Sequence, residues 1–174
     1  MKKFSNYWSA ITFAFIKYGN LKRKSKEIPY VVHPIRITAI LRAAGFNEFD
    51  HEDLIIAALF HDLLEDTDTD LKEIESHFGT KISQIVIELT KPEGAKGRKK
   101  DNWLENFINN SKEAKVIKLA DRIDNILDMQ DIWDAEKQRS YLDQAKIILK
   151  SCGKANKQLA QKLDNLIKEI SGNI

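Results

Sequence analysis

The sequence has few of the features that secreted and membrane proteins depend on. Its 174 residues include a single cysteine, so no internal disulfide can form, which favours a reducing cytoplasm. The longest apolar run covers residues 54–60, far short of the roughly 20 residues that a membrane-spanning helix needs. The N-terminal segment lacks the apolar core and cleavage site of a secretion signal. We therefore expect a cytoplasmic protein that does not engage a membrane.

Glycine and proline are also scarce, at 7 and 3 residues. A turn-dense β-sandwich or barrel needs more of both, so long helices are expected instead. The formal net charge of +2 gives no indication of a nucleic-acid-binding protein. A chain of this length fits one domain, and neither a repeat nor a linker is visible. We expect a single all-α domain over residues 1–174.

Apolar residues at helical spacing run through most of the chain. The expected helices cover approximately residues 8–18, 33–45, 50–60, 70–79, 80–90, 102–109, 112–130, 134–152 and 156–170. The run at 54–60 is apolar all round, which predicts a buried central helix, and Asp50 is expected to cap it. Residues 91–101 are predicted to form the only extended loop.

The near-neutral net charge hides a strong segregation of charges. Eleven acidic residues and one basic residue, Lys72, lie between Glu48 and Glu75, whereas residues 22–26 and 96–100 are basic. A pocket that holds a metal ion against a phosphorylated ligand needs carboxylates for the ion and cations for the phosphates. Ordinary solvated faces and loops are the alternative interpretation.

Polar side chains follow directly after the predicted buried helix, at His61, Asp62, Glu65 and Asp66. Buried carboxylates are costly unless they are paired or coordinated. His61 and Glu65 are four residues apart, as are Asp62 and Asp66, so each pair shares a helix face. The adjacent His61 and Asp62 are able to reach one ion at the helix edge. An exposed helix end with ordinary caps is the alternative.

Two other positions offer similar chemistry. His33 lies at the start of a predicted helix, where its imidazole can project from the helix end, although a structural role is the alternative. Asp121 lies beside the apolar stripe of its helix and faces the same way as Asn125. An ion pair with Arg122 or Lys118 is the alternative for this carboxylate.

These positions together make a mixed ligand set without a thiolate. The set consists of His33, His61, Asp62 and Asp121. Two imidazoles and two carboxylates suit a divalent transition metal such as Mn, Fe or Zn, with positions left open for water or substrate. Calcium prefers more oxygen ligands, and structural zinc sites usually contain cysteine.

The order of these motifs resembles that of the HD-domain metal-dependent phosphohydrolases and, within them, the small alarmone hydrolases of the RelA/SpoT-homologue family. The motifs that carry the resemblance are Lys22-Arg23-Lys24, Pro29-Tyr30-Val31-Val32-His33-Pro34, Ala57-Ala58-Leu59-Phe60-His61-Asp62-Leu63-Leu64-Glu65-Asp66-Thr67 and Lys118-Leu119-Ala120-Asp121-Arg122-Ile123-Asp124-Asn125. The likeness covers nearly the whole chain. It implies an HD-domain-like helical bundle of about eight to ten helices.

The resemblance also implies an activity, which is hydrolysis of the 3′-pyrophosphate of guanosine 3′,5′-bispyrophosphate, (p)ppGpp, to GDP or GTP and pyrophosphate. One Mn²⁺ per chain, with Zn or Fe also compatible, would be held by His33, His61, Asp62 and Asp121. The acidic pair that orients or deprotonates the attacking water would be Glu65 and Asp66. The nucleotide would contact Arg23, Lys24, Asn125 and Tyr141. The implied partner is a small nucleotide, with no nucleic acid or membrane, and the chain would be a monomer or homodimer.

The sequence departs from the family pattern at two places. The family usually has a His, a Gly and a Gln before Arg23, where this chain reads Tyr18-Gly19-Asn20-Leu21-Lys22, and Lys91 replaces a common acidic residue. Neither change touches an expected ligand, but both bear on nucleotide choice. Two other functions therefore stay open: an HD-type phosphohydrolase acting on another nucleotide, and a non-catalytic nucleotide-binding module.

Overall fold

The computed structural model describes residues 2–23, 27–130 and 132–174. The α-helices in these ranges are α1 Lys2–Tyr18, α2 Val32–Ala43, α3 Glu52–Phe60, α4 Leu63–Asp66, α5 Leu71–Phe78, α6 Thr80–Leu89, α7 Arg98–Asn106, α8 Lys112–Met129, α9 Ala135–Cys152 and α10 Lys157–Ser171. The described ranges contain no β-strand, only an isolated bridge between Lys22 and Pro29. The all-α prediction is confirmed. None of the helices within these ranges has the length and apolar character needed to cross a membrane.

The chain forms two compact units, Met1–Thr90 and Lys91–Ile174. In the first unit α3 is central, because α1, α2 and α6 all pack against it. Every residue from 54 to 60 is at most 4% exposed, which confirms the buried helix predicted from this run. An apolar run with no polar face buries surface on all sides, so polar groups follow only where the run ends. The first of these groups are the buried His61 and the half-buried Asp62.

Three aromatic rings fix the end of α3 against its neighbours. Phe60, the last residue of α3, lies 5.3 Å from Phe13 of α1 and 4.8 Å from Phe78 of α5, measured between ring centroids. The Phe13 and Phe78 rings are 5.2 Å apart, and all three pairs are edge-to-face. Such pairs add to the free energy gained from burial. Because Phe60 immediately precedes His61, this cluster determines where His61 and Asp62 emerge.

Truncating this cluster is expected to destabilise the fold strongly. Phe60→Ala should lower the free energy of unfolding by about 3–5 kcal/mol, because Phe60 is fully buried and the truncation leaves a cavity. Urea denaturation followed by circular dichroism measures the loss. Phe15→Ala is the matched control, since Phe15 is 60% exposed and should change stability by less than about 0.5 kcal/mol. Equal losses in the two variants would contradict this account of the core.

In the second unit, α8, α9 and α10 pack against one another, and α7 packs against α9. The three long helices begin with side-chain caps that accept a hydrogen bond from the backbone N–H three residues later. These caps are Ser111, Asp134 and Asn156. Each cap satisfies one N–H that would otherwise lack a helical partner. The starts of α8, α9 and α10 thus agree with those predicted.

Three details of the predicted helices are wrong. Asp50 does not cap α3; its carboxylate accepts from the Asn47 amide at 3.1 Å, and the N-cap of α3 is His51 without a side-chain hydrogen bond. The predicted loop at 91–101 is shorter, because α7 already begins at Arg98, directly after Gly97 with a φ of +50°. The first helix begins at Lys2 rather than near Trp8. Each error lies at a helix end, where local sequence signals compete.

Candidate metal and nucleotide site

His61 and Asp62 lie in the turn between α3 and α4. The His61 ring is 2% exposed, and its Nδ1 lies 2.9 Å from the carbonyl oxygen of Ala58. A carbonyl oxygen only accepts, so Nδ1 carries the proton, and in the neutral form of the ring the lone pair is on Nε2. Histidine ligands of metals are usually held in this way by a bond from their other ring nitrogen. The backbone of α3 therefore orients His61 so that Nε2 can offer its electron pair to a cation.

His33 of α2 brings a second imidazole to the same place. Its ring is 1% exposed and lies 5.1 Å from the His61 ring, between centroids. Asp62 Oδ2 is 2.9 Å from His61 Nε2 and 3.8 Å from His33 Nε2. The three residues can each offer one ligand atom, and these atoms lie within 4.8 Å of one another. Two imidazole nitrogens and one carboxylate oxygen, nearly enclosed, fit a divalent transition metal.

Tyr30 adds a contact to this cluster that the sequence pattern did not predict. Its hydroxyl donates to Asp62 Oδ2 at 2.5 Å, and its ring packs edge-on against His33 at 5.8 Å. Burial, and next the negative charge of Asp62, hold the pKa of the Tyr30 phenol well above its ordinary value. Tyr30 is therefore a hydrogen-bond donor at any physiological pH. The feature of the sequence that could have indicated this contact is the position of Tyr30, three residues before His33.

The predicted acidic pair lies immediately beyond Asp62. Glu65 and Asp66 end the short helix α4, and their backbone N–H groups both donate to the Asp62 carbonyl, at 3.2 and 3.0 Å. Glu65 is half-buried and Asp66 is exposed. These backbone bonds keep both carboxylates within one helical turn of Asp62, with access to water.

Arg23, one of the predicted nucleotide contacts, lies beside Tyr30. Its guanidinium carbon is 5.7 Å from the centroid of the Tyr30 ring, and the side chain is half-buried. A guanidinium in this setting can stack on a purine or bind phosphate. Lys24, the other predicted contact in this segment, lies outside the described residues.

The remaining predicted residues belong to the second unit. Asp121 on α8 is 5% exposed, and its Oδ2 lies 3.0 Å from Lys118 Nζ. The Asn125 amide donates to Asp121 Oδ1, as expected for residues four apart on one face. The ion pair with Lys118, one of the two alternatives for Asp121, is therefore present. The cluster of possible ligand residues found in the described part of the chain consists of His33, His61 and Asp62.

A cationic cluster surrounds Tyr141 in the second unit. The Arg122 guanidinium carbon lies 3.7 Å from the centroid of the Tyr141 ring, and Lys100 Nζ lies 5.9 Å from it. Arg122 Nε is buried and has no hydrogen-bond partner among the described residues. Burial, followed by the positive charges of Arg122, Lys118 and Lys91, lowers the pKa of Lys100 to about 8. Cations held this close together at a cost in free energy indicate a place for an anion.

The Lys100 charge is therefore expected to destabilise the folded chain. With a folded-state pKa of about 8, below the ordinary 10.5, the cost is fully present below pH 8 and disappears as the pH rises towards 10.5. Lys100→Met should raise the free energy of unfolding at pH 7 by about 1 kcal/mol, after allowing for the screening of a half-buried group. The gain should fade by about pH 10.

Urea denaturation at both pH values measures this difference. Lys99→Met is the control, because Lys99 is exposed and should show no comparable gain. A loss of stability at pH 7 in Lys100→Met would contradict the electrostatic account of the cluster.

The fold and the geometry of this site define a class of protein. The HD domain model matches residues 10–150, and the chain belongs to the HD-domain family. The guanosine-3′,5′-bis(diphosphate) 3′-pyrophosphohydrolase MESH1 of Homo sapiens is 34% identical over 168 residues, which cover 92% of each chain. The MESH1 protein of Danio rerio is 33% identical over 165 residues, which cover 91% of each chain. The resemblance to the small alarmone hydrolases is confirmed.

Longer relatives and solved structures agree with this classification. The guanosine-3′,5′-bis(diphosphate) 3′-pyrophosphohydrolase of Aquifex aeolicus is 40% identical over 121 residues, which cover 67% of this chain and 17% of that protein. A solved metazoan orthologue of SpoT, described as hydrolysing ppGpp and acting in starvation responses, has a TM-score of 0.87 at 31% identity and covers 94% of each chain. The crystal structure of lmo0812 from Listeria monocytogenes, with a TM-score of 0.69 at 22% identity, shares the fold; 82% of this chain and 97% of that one are covered.

Proposed function

We propose that this chain hydrolyses the 3′-pyrophosphate of guanosine 3′,5′-bis(diphosphate) and releases pyrophosphate. The observation that carries the proposal is the convergence of His33, His61 and Asp62, with ligand atoms within 4.8 Å of one another, directly before an acidic pair. Relatives named for this activity align along more than nine tenths of the chain, which supports the same assignment. We take residues 1–174 as one functional domain, because the matched family model crosses Thr90.

The resident metal is proposed to be one Mn²⁺. His33, His61 and Asp62 would hold it, with Asp121 as the proposed fourth ligand. When bound, a divalent ion supplies Lewis-acid chemistry, which stabilises negative charge on phosphoryl oxygens and lowers the pKa of water towards about 7. The tautomer of His61, set by its bond to the Ala58 carbonyl, supports this role because it presents the ring's lone pair at Nε2.

The proposed reaction is a displacement at the phosphorus attached to the 3′ oxygen. A bond forms between the water oxygen and this phosphorus, the bond from the phosphorus to the 3′ oxygen breaks, and the 3′ oxygen takes up a proton. Glu65 and Asp66 would orient the water and accept its proton. Their position one turn beyond Asp62, with access to solvent, supports this assignment.

Nucleotide binding is proposed to use cationic and planar groups. Arg23, Lys24, Asn125 and Tyr141 are the predicted contacts. We add Lys100 and Arg122 as cations for the phosphates, because both lie at the Tyr141 ring and Arg122 Nε lacks a partner among the described residues. A cytoplasmic site of action is proposed as well, and the buried, unpaired thiol of Cys152 is compatible with it.

The test is an assay of the purified chain with guanosine 3′,5′-bis(diphosphate) and Mn²⁺, with products separated by ion-exchange chromatography. GDP and pyrophosphate should appear in equal amounts, and EDTA should stop the reaction. A parallel panel contains GTP, a nucleoside monophosphate and a cyclic nucleotide. Faster turnover of one of these would favour an HD-type phosphohydrolase of another specificity. Calorimetric binding without turnover at saturating Mn²⁺ would favour a non-catalytic nucleotide-binding module.

A further inference from the structure

Tyr30 links two parts of the first unit that have separate proposed roles. Its hydroxyl donates to Asp62 Oδ2 at 2.5 Å, while one face of its ring lies 5.7 Å from the guanidinium carbon of Arg23. The same side chain therefore touches an expected metal ligand and an expected nucleotide contact. No direct bond between Arg23 and Asp62 is needed for one to influence the other.

The surroundings of Tyr30 restrict its ring. The Tyr18 ring lies 5.3 Å from it and the His33 ring 5.8 Å, between centroids. Two backbone hydrogen bonds join the flanking segments: Tyr30 donates to the Leu21 carbonyl at 2.7 Å, and Arg23 donates to the Ile28 carbonyl at 3.1 Å. A ring held by neighbours on several sides and by its own backbone keeps its hydroxyl at a fixed point.

We propose that Tyr30 is a positioning residue, which holds the Asp62 carboxylate through its hydroxyl and supports Arg23 through its ring. The proposal rests on the proposed function for the roles of the metal and of Arg23. A carboxylate oxygen has two lone pairs, so Asp62 Oδ2 can accept from the phenol and still bind a cation. Partners of this kind fix the direction of a ligand, and their loss typically lowers metal affinity or activity by 10–100-fold.

Two substitutions separate the two contacts of Tyr30. Tyr30→Phe keeps the ring and removes the hydroxyl, so Mn²⁺ affinity should fall about tenfold and kcat should fall with it, while KM stays within about twofold. Tyr30→Leu removes the ring as well, so KM should also rise, by about tenfold. Mn²⁺ affinity is measured without substrate, from the electron paramagnetic resonance signal of the free ion.

Tyr7→Phe is the matched control, since the Tyr7 hydroxyl accepts from the Arg42 guanidinium and Tyr7 has no assigned role at the site. Its Mn²⁺ affinity should equal that of the wild type. A folded Tyr30→Phe chain with wild-type Mn²⁺ affinity would overturn the proposal. The Mn²⁺ titration tests the link from Tyr30 to Asp62 without using the substrate. If the wild-type protein left the guanosine substrate intact, only the proposed function would be refuted.

Discussion

Asp62→Asn is expected to abolish both metal binding and hydrolysis. The substitution replaces a charged carboxylate by a neutral amide at the centre of the cluster, where Asp62 Oδ2 lies 2.9 Å from His61 Nε2 and 2.5 Å from the Tyr30 hydroxyl oxygen. Loss of the metal removes several kcal/mol of stabilisation of the developing charge. Because each 1.36 kcal/mol corresponds to a factor of ten in rate, kcat/KM should fall by at least about a thousandfold.

The measurements are steady-state kinetics and metal content after dialysis against Mn²⁺. Asp68→Asn is the control, since Asp68 is an exposed acid of the same acidic region and should keep wild-type metal content and rate. Asp121→Ala should reproduce the loss seen in Asp62→Asn if the proposed fourth ligand is correct. An Asp62→Asn chain that retains one metal ion and more than about a tenth of the activity would contradict the assignment.

Removing the acidic pair should separate chemistry from metal binding. Glu65→Gln and Asp66→Asn keep the size of each side chain but remove its ability to accept a proton. A positioned general base typically raises the rate 10²–10⁴-fold. We expect kcat to fall by about that factor in whichever of the two variants has lost the residue that accepts the proton of the attacking water. KM and Mn²⁺ affinity should stay within about threefold of wild type, because neither side chain is an assigned ligand.

A pH–rate profile adds a second readout for this pair. Loss of the base should remove the acidic limb of the profile of kcat/KM, which a general defect in folding would leave in place. If both single variants and the double variant retained wild-type kcat, Glu65 and Asp66 would have no part in activating water. The non-catalytic interpretation of the site would then gain support.

Much of the fold follows from patterns that are local in sequence. The run at residues 54–60 is apolar in every direction, which favours a buried element, and in the structure it forms the central helix α3. Asp70 caps α5 by accepting from the Glu73 N–H at 2.8 Å, which the spacing Asp70-Leu71-Lys72-Glu73 favours. Asp50 was also expected to cap a helix, but its carboxylate accepts from the Asn47 amide instead. A competing bond within the preceding turn therefore decides which of the two carboxylates becomes a cap.

The candidate site was predictable where its residues share a motif. His61 and Asp62 are adjacent and directly follow a helix that was predicted to be buried. The sequence alone therefore indicated that an unpaired carboxylate at this position would be costly in free energy. The contact from Tyr30 to Asp62 was not predictable, because it joins residues 32 positions apart through the packing of α2 on α3. The lowered pKa of Lys100 likewise depends on burial and on the charges of Arg122 and Lys118, which are distant in sequence.

The most direct test of the account is a titration of metal-free protein with Mn²⁺, with bound metal and pyrophosphate release measured in the same samples. The account predicts that activity is absent at the start, rises in proportion to bound metal and reaches its plateau at one ion per chain. Full activity in protein shown to contain no metal, or a plateau in bound metal at one ion without any hydrolysis, would contradict it.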